Sequence, residues 1–243
     1  MHSNFTILSI IVPCFNESDY VEKMLTRLLQ ADLHYPIIKE IIVVDDGSTD
    51  DTAKKLATFV NAHPDKNLKI ITHIKNTGKG SCIKTALLHA KGEILVIQDA
   101  DLEYNPEDFH LLLAPIIRNE ADVVIGSRFK GKAEHKGPFI LHKIVNKTYT
   151  FISNLLNKQN LSDIHSCYKM MRTDVLRNIS LKENRFGFDV EMIAKLSHQE
   201  NVRICEVGIS YHGRTFAEGK KINFMDGFRA FYCLIKYNLF SKK

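Results

Sequence analysis

The chain has 243 residues, of which 44% are apolar and 25% charged, with 12 glycines and six prolines. This is globular composition at a length that supports a sizeable core, and it excludes collagen-like, low-complexity and disordered classes. The formal charge of +5 is unevenly spread: residues 1–130 carry 14 Lys/Arg against 18 Asp/Glu, whereas residues 131–243 carry 19 against 10. An acidic half can hold a cation, and a basic half can meet an anionic partner. The five cysteines (Cys14, Cys82, Cys167, Cys205, Cys233) are odd in number and far apart. They form no C-x-x-C pair, so neither a disulfide framework nor a zinc knuckle is expected. No apolar run approaches the roughly 20 residues that span a bilayer. The first residues run into a strand pattern without a charged leader, so no signal peptide is expected and a reducing, cytoplasmic compartment fits.

In chain order, Leu8 to Val12 reads as a buried strand ended by Pro13. Ser18 to Ala31 follows as an amphipathic helix with Val21, Met24, Leu25, Leu28 and Leu29 on one face. Glu40 to Val44 is a second strand, Thr52 to Ala62 a helix, Leu68 to Ile74 a third strand, and Gly80 to Ala90 a helix. Glu93 to Gln98 is a fourth strand, Pro106 to Asn119 a helix with Pro in its first turn, and Asp122 to Ile125 a fifth strand. Strands this apolar, each followed by a crossover helix, predict a doubly wound α/β fold with a mostly parallel sheet. Ligands of such sheets bind beyond the carboxyl ends of the strands.

The second half is less regular. Gly131 to Pro138 reads as a polar, basic loop, Leu141 to Leu156 as a helix, and Phe188 to Leu196 as another. Val202 to Val207 is a short strand and Phe224 to Leu239 a closing helix rich in aromatic and aliphatic residues. No linker separates autonomous domains. The expectation is one domain over 1–243, with a ligand-binding half at 1–130 and a helical half at 131–243.

The strand ends carry the chemistry. Asp99-Ala100-Asp101-Leu102-Glu103 follows the fourth strand. Three carboxylates so close repel unless a cation sits among them, and hard oxygen donors suit Mg²⁺ or Mn²⁺ with a substrate diphosphate. The plain alternative is a solvated turn that caps the helix at Pro106. Asp45-Asp46-Gly47-Ser48 follows the second strand, where a carboxylate can accept from a nucleobase or ribose, or merely precede the cap of the next helix. Asn76 to Ser81 resembles a phosphate loop around Lys79 but fails both tests. The Gly required five residues before Gly78 is His73, and position 83 of a dinucleotide fingerprint is Ile. What remains is a loop that opens a helix. Arg128 after the fifth strand, and Arg214 at the head of a segment ending in Lys220-Lys221, can clamp phosphate oxygens. No nucleophile elbow or H-E-x-x-H pattern occurs.

These blocks, in this order, resemble glycosyltransferase family 2, nucleotide-diphospho-sugar transferases of the GT-A fold, and within it the dolichol-phosphate mannose synthase group. The residues that carry the likeness are Ile11 to Glu17, Ile42 to Ser48, Asn76 to Gly80, Gln98 to Asp101, Val124 to Arg128, Asp163 to Lys169 and Arg214 to Lys220. The resemblance implies that Pro13, Phe15, Glu17, Asp45 and Asp46 line the nucleoside pocket. It implies that Asp99, Ala100 and Asp101 face the diphosphate, with Asp99, Asp101 and Glu103 as ligands of Mg²⁺ or Mn²⁺. Lys79, Arg128, Arg214 and Lys220 would meet phosphates of donor or acceptor. Phe15 and Glu103 stand where the family often has Tyr and Gln, and Asp163 to Lys169 departs from its usual Ser-Gly-Phe form.

The expected reaction is inverting sugar transfer from a GDP- or UDP-linked donor to a polyprenyl phosphate, peripheral on the cytoplasmic face of an anionic membrane. A phosphate acceptor needs no strong base. A hydroxyl acceptor, the alternative, would need a carboxylate such as Asp163 or Glu191. A processive synthase is disfavoured because its Q-x-x-R-W motif cannot occur in a chain without Trp. A binding module without turnover is weighed below these, and nucleic acid is not an expected partner because the acidic cluster would repel phosphodiesters. A homodimer is left open.

Overall fold

The structure, a computed structural model, describes residues 5–130, 135–136, 140–214 and 224–240. Nine strands and eight α-helices occur among the described residues. The strands are β1 (Ile7–Cys14), β2 (Ile38–Asp45), β3 (Leu68–Thr72), β4 (Ile94–Ile97), β5 (Val123–Ser127), β6 (His135–Lys136), β7 (Lys169–Arg172), β8 (Ile204–Gly208) and β9 (Tyr211–His212). The helices are α1 (Val21–Gln30), α2 (Thr52–Ala62), α3 (Lys79–Leu87), α4 (Phe109–Ile117), α5 (Ile140–Asn157), α6 (Thr173–Arg177), α7 (Gly187–Ser197) and α8 (Phe224–Ile235). A short 3-10 turn, Pro106–Asp108, leads into α4, and a π-helical turn, Lys236–Phe240, prolongs α8.

Seven strands form one sheet in the order β3-β2-β1-β4-β7-β5-β8. All its pairings are parallel except the two made by β7. The apolar runs predicted at β1, β2, β4 and β5 are buried on both faces, whereas β3 and β8 are only partly buried. Leu8, Ile10, Ile11 and Val12 of β1 and Ile94 to Ile97 of β4 are inaccessible to solvent. α1 turns Val21, Met24, Leu25 and Leu28 inward, as its apolar spacing predicts.

Two sequence expectations need correction. Pro13 does not end β1, which continues to Cys14, with Pro13 opposite Val44 of β2. Pairing of β1 with β4 stops at Ile11, so Pro13 lies past the doubly paired stretch, where a missing N–H is tolerated. The antiparallel strand β7 is absent from the sequence expectation altogether. It inserts between β4 and β5, setting Met170 opposite both Val96 and Val124. Four residues reading Lys-Met-Met-Arg carry no β-branched signal, and tertiary placement alone makes them a strand. The polar loop expected at Gly131 to Pro138 lies outside the described residues except for His135 and Lys136, whose backbone pairs with β9.

Candidate active site

The strand carboxyl ends lie at one edge of the sheet, and there the segments following β1 and β2 are bonded to each other. Asn16, at positive φ, accepts from the Thr49 N–H at 2.8 Å and donates its own N–H to Ser48 Oγ at 2.9 Å. Glu17, just beyond, is buried. Asp45 accepts from Ser48 Oγ and N–H, but its Oδ2 is buried without a partner among the described residues. Pro13 and Phe15 are half-buried beside this edge.

Asp46 anchors the Asn76 to Gly80 loop. Its carboxylate accepts from the N–H groups of Thr77 (3.0 Å) and Gly78 (2.6 Å), from Thr77 Oγ1 (2.8 Å) and from His73 Nδ1 (2.7 Å). Burial opposes ionisation, yet these bonds, led by that from His73, hold its pKa below the ordinary carboxylate value. Sequence reasoning assigns Asp46 to the nucleoside, whereas its oxygens are engaged by the protein itself. Gly78 is at φ +103°, and a Cβ there would come within 2.5 Å of the Asn184 carbonyl oxygen, so only glycine serves.

The loop delivers Lys79 to the acidic cluster. Lys79 Nζ lies 2.7 Å from Asp99 Oδ1. Burial disfavours the ammonium, but Asp99 outweighs it and raises the pKa above the ordinary lysine value. Ala100 is buried beneath the cluster. Arg214 arrives from the far end of the chain and sits among three carboxylates: Asp101 (2.6 Å), Glu17 (3.0 Å) and Glu103 (3.7 Å). Its guanidinium stacks 5.1 Å over the Tyr20 ring, and its Nε is buried without a hydrogen-bond partner among the described residues. Glu103 also accepts from the Tyr211 hydroxyl (2.9 Å) and the Arg214 N–H (2.7 Å), pinning β9 and the backbone of Arg214 to the site. Burial first, then the charges of Asp99 and Glu103, push the Asp101 carboxyl up to about 7 against the pull of Arg214.

Asp99, Asp101 and Glu103 therefore divide between two protein cations. They do not form a cluster at ligand spacing. Their donor chemistry still suits a hard divalent ion. The group that does meet ligand spacing among the described residues is Asp46, His73 and Cys82. It is better explained as the loop anchor. His73 bridges Asp46 and Thr85, and burial with Asp46 nearby keeps the Cys82 thiol protonated.

A second cation site lies after β5. Arg128 Nε and Nη2 meet Asp163 at 2.7 and 2.9 Å, and its guanidinium lies 5.1 Å from the Tyr211 ring centroid. Asp163 is inaccessible to solvent and also accepts from Asn146 Nδ2 at 2.8 Å. Although burial opposes it, Arg128 holds the Asp163 carboxyl well below the usual range. Asp163, expected as a base for a hydroxyl acceptor, thus has both oxygens committed to strong donors. Glu191 is equally engaged, accepting from the N–H groups of Lys182 and Glu183 and from Lys195 Nζ. Lys220 lies outside the described residues.

Two groups escape sequence reasoning. Lys169 is fully buried and paired with Asp189 at 2.8 Å. His165 has its pKa lowered to about 4 by burial, and its Nε2 is buried without a partner among the described residues. Both lie in the Asp163 to Lys169 block, which the sequence marks as a unit without showing which of its side chains are buried and charged.

Comparison with known proteins identifies the family and the fold. The dolichyl-phosphate beta-glucosyltransferase of Dictyostelium discoideum is 29% identical over 231 residues, covering 89% of this chain and 68% of that one. The dolichol-phosphate mannosyltransferase of Pyrococcus furiosus is 30% identical over 236 residues, covering 95% of this chain and 64% of that one. The chain thus spans about two thirds of each relative's length. The crystal structure of glucosyl-3-phosphoglycerate synthase from Mycobacterium tuberculosis, solved with Mn²⁺, UDP and glucosyl-3-phosphoglycerate, superposes with a TM-score of 0.73. At 16% identity over 99% of this chain and 82% of that one, it shares the GT-A fold. The family model described as "Glycosyl transferase family 2" matches residues 9–180, well over half of the sequence, and the chain belongs to that family.

Proposed function

We propose that the protein transfers a sugar, with inversion, from a nucleotide-diphospho-sugar to a polyprenyl phosphate at the cytoplasmic face of a membrane. The observation that carries this reading is the set of Lys79, Arg214 and Arg128, three cations held by carboxylates around the strand ends. Such a set suits two phosphate-bearing substrates better than one. The relatives named for dolichyl phosphate acceptors support the same acceptor class.

In this reading the acceptor phosphate oxygen attacks the anomeric carbon in line as the bond to the donor diphosphate breaks. The acceptor arrives anionic, because a phosphate monoester has a second pKa of about 6. No base is then required, in keeping with the full engagement of Asp163 and Glu191. Arg214 and Lys79 would offset charge gathering on the departing nucleoside diphosphate. Asp99, Asp101 and Glu103 would hold Mg²⁺ or Mn²⁺, which supplies Lewis-acid stabilisation of that leaving group. Nucleobase and sugar would be selected near Pro13, Phe15 and Asp45.

The test is transfer from UDP- and GDP-sugars to a short polyprenyl phosphate, with Mn²⁺, Mg²⁺ or EDTA. Transfer that needs the phosphate on the acceptor and is lost in Asp101→Asn is expected. Transfer to the corresponding prenyl alcohol or to a free glycan instead would overturn the acceptor assignment.

A further inference from the structure

Helix α5 is arranged inside out. Its buried stripe is polar: Asn146, Thr150, Ser153 and Asn157, none more than 7% exposed. Its outward stripe is apolar: Ile144, Phe151 and Leu155 are 55%, 69% and 72% exposed. A helix facing water ordinarily has the reverse pattern. The inner stripe is used by the site, since Asn146 donates to Asp163 and Thr150 Oγ1 donates to Asn146 Oδ1. The site does not use the outer stripe.

Helix α8 lies alongside. The Tyr149 hydroxyl donates to the Gly227 carbonyl at 3.2 Å, and the Tyr149 and Phe231 rings are 6.2 Å apart. α8 turns Ala230, Cys233 and Leu234 toward Val190 and Ala194 of α7. It leaves Phe228, Phe231 and Tyr232 exposed, and the turn beyond it exposes Leu239 and Phe240. Of the 13 exposed large hydrophobic residues among those described, nine lie on these two helices and the turn, which marks one face rather than scattered exposure. Residues 144–158 and 224–240 contain Lys147, Lys158, Arg229 and Lys236 and one acid, Asp226; Arg229 and Lys236 also lie 2.8 and 3.6 Å from Glu183, so four cations stand against two carboxylates.

We infer that this α5–α8 face docks on a bilayer containing anionic lipid, with its aromatic and aliphatic side chains at the acyl boundary and its cations among the headgroups. Charge decides the occupant. An isologous contact with a second copy would set the same cationic face against itself, whereas an anionic surface complements it. The face also lies one helix away from Arg128, through Asn146 and Asp163, a span of about 10–12 Å. That proximity to a lipid-borne phosphate rests on the proposed acceptor. The docking itself does not.

The experiment is vesicle flotation of the full chain with phosphatidylcholine alone and with phosphatidylcholine plus phosphatidylglycerol, at low and high salt. The expected result is binding that requires phosphatidylglycerol and weakens with salt. The double variant Phe151→Asp/Leu155→Asp should bind about tenfold less with an unchanged melting temperature. Ile74→Asp and Leu88→Asp, at exposed sites outside α5 and α8, should bind as the parent does. Absence of vesicle binding, or binding indifferent to the α5 changes, overturns the inference. So does light scattering that shows a dimer which the same changes dissolve. Vesicle docking that persists while no prenyl phosphate is glycosylated leaves the inference standing and removes the proposed acceptor.

Discussion

Replacing Asp163 by Asn separates a structural clamp from a chemical base. The change leaves the Arg128 guanidinium, whose side chain is 17% exposed, beside a neutral amide in a site where Asp163 is wholly buried. Breaking a buried ion pair from one side costs about 3–5 kcal/mol, and the retained carbonyl acceptor with some solvent at Arg128 brings this to about 2–4 kcal/mol. For a chain of this length the melting temperature should fall on the order of 10 °C. The pH dependence has a fixed sign. The Asp163 carboxyl is depressed in the folded state, by Arg128 against the effect of burial. Its contribution is therefore present above the unfolded value of about 3.9 and lost as pH falls through the folded value. The stability gap between parent and variant should be level from about pH 5 to pH 8 and narrow below about pH 4. Urea unfolding at a series of pH values measures it. A gap under about 0.5 kcal/mol at pH 7, or one that widens on acidification, refutes the clamp. A turnover collapse with unchanged stability would restore the base.

Gly80→Ala places a Cβ 2.5 Å from the Glu183 carbonyl oxygen and 2.8 Å from Phe188 Cβ, so it should destabilise by about 1–3 kcal/mol in thermal melts. Asp46→Ala removes the acceptor that holds the Asn76 to Gly80 loop; nucleotide affinity and melting temperature should fall together, and a loss of affinity alone would return Asp46 to the nucleoside. Arg214→Gln should lower kcat about 10²–10³-fold in the transfer assay, with a smaller change in nucleoside diphosphate affinity measured by calorimetry. Asp101→Asn should remove transfer while the melting temperature holds or rises, because Asp101 is buried among like charges rather than at an open strand end.

The parallel strands and most helices are legible in the sequence because continuous apolar runs and a 3.6-residue spacing survive without tertiary context; Thr52–Ala62 is read to the residue. Strand β7 is not legible, since its place depends on β4 and β5 flanking it. The same division holds in the site. The carboxylates after β4 announce themselves through local spacing, and Lys79 stands out beside them without its partner being evident. That Arg214 meets Glu17 across 197 positions of sequence separation is a property of the fold. Asp46 is a further case: local spacing marks the acidic pair after β2, but it cannot reveal that a loop 31 residues later bonds both of its oxygens.

The intrusion of β7 bears on how the chain is made. During synthesis from the amino end, β1 to β5 emerge first, yet β4 and β5 share no ladder and meet only across residues 169–172. A nascent chain that ends near residue 130 holds β5 with no neighbour on either side, because β8 is also still to come. The acidic cluster, completed by Arg214, is later still. Folding of the amino-terminal half should therefore wait for the carboxyl-terminal half. A split at residue 130 should yield two fragments that gain structure only when mixed, rather than a self-standing nucleotide-binding module.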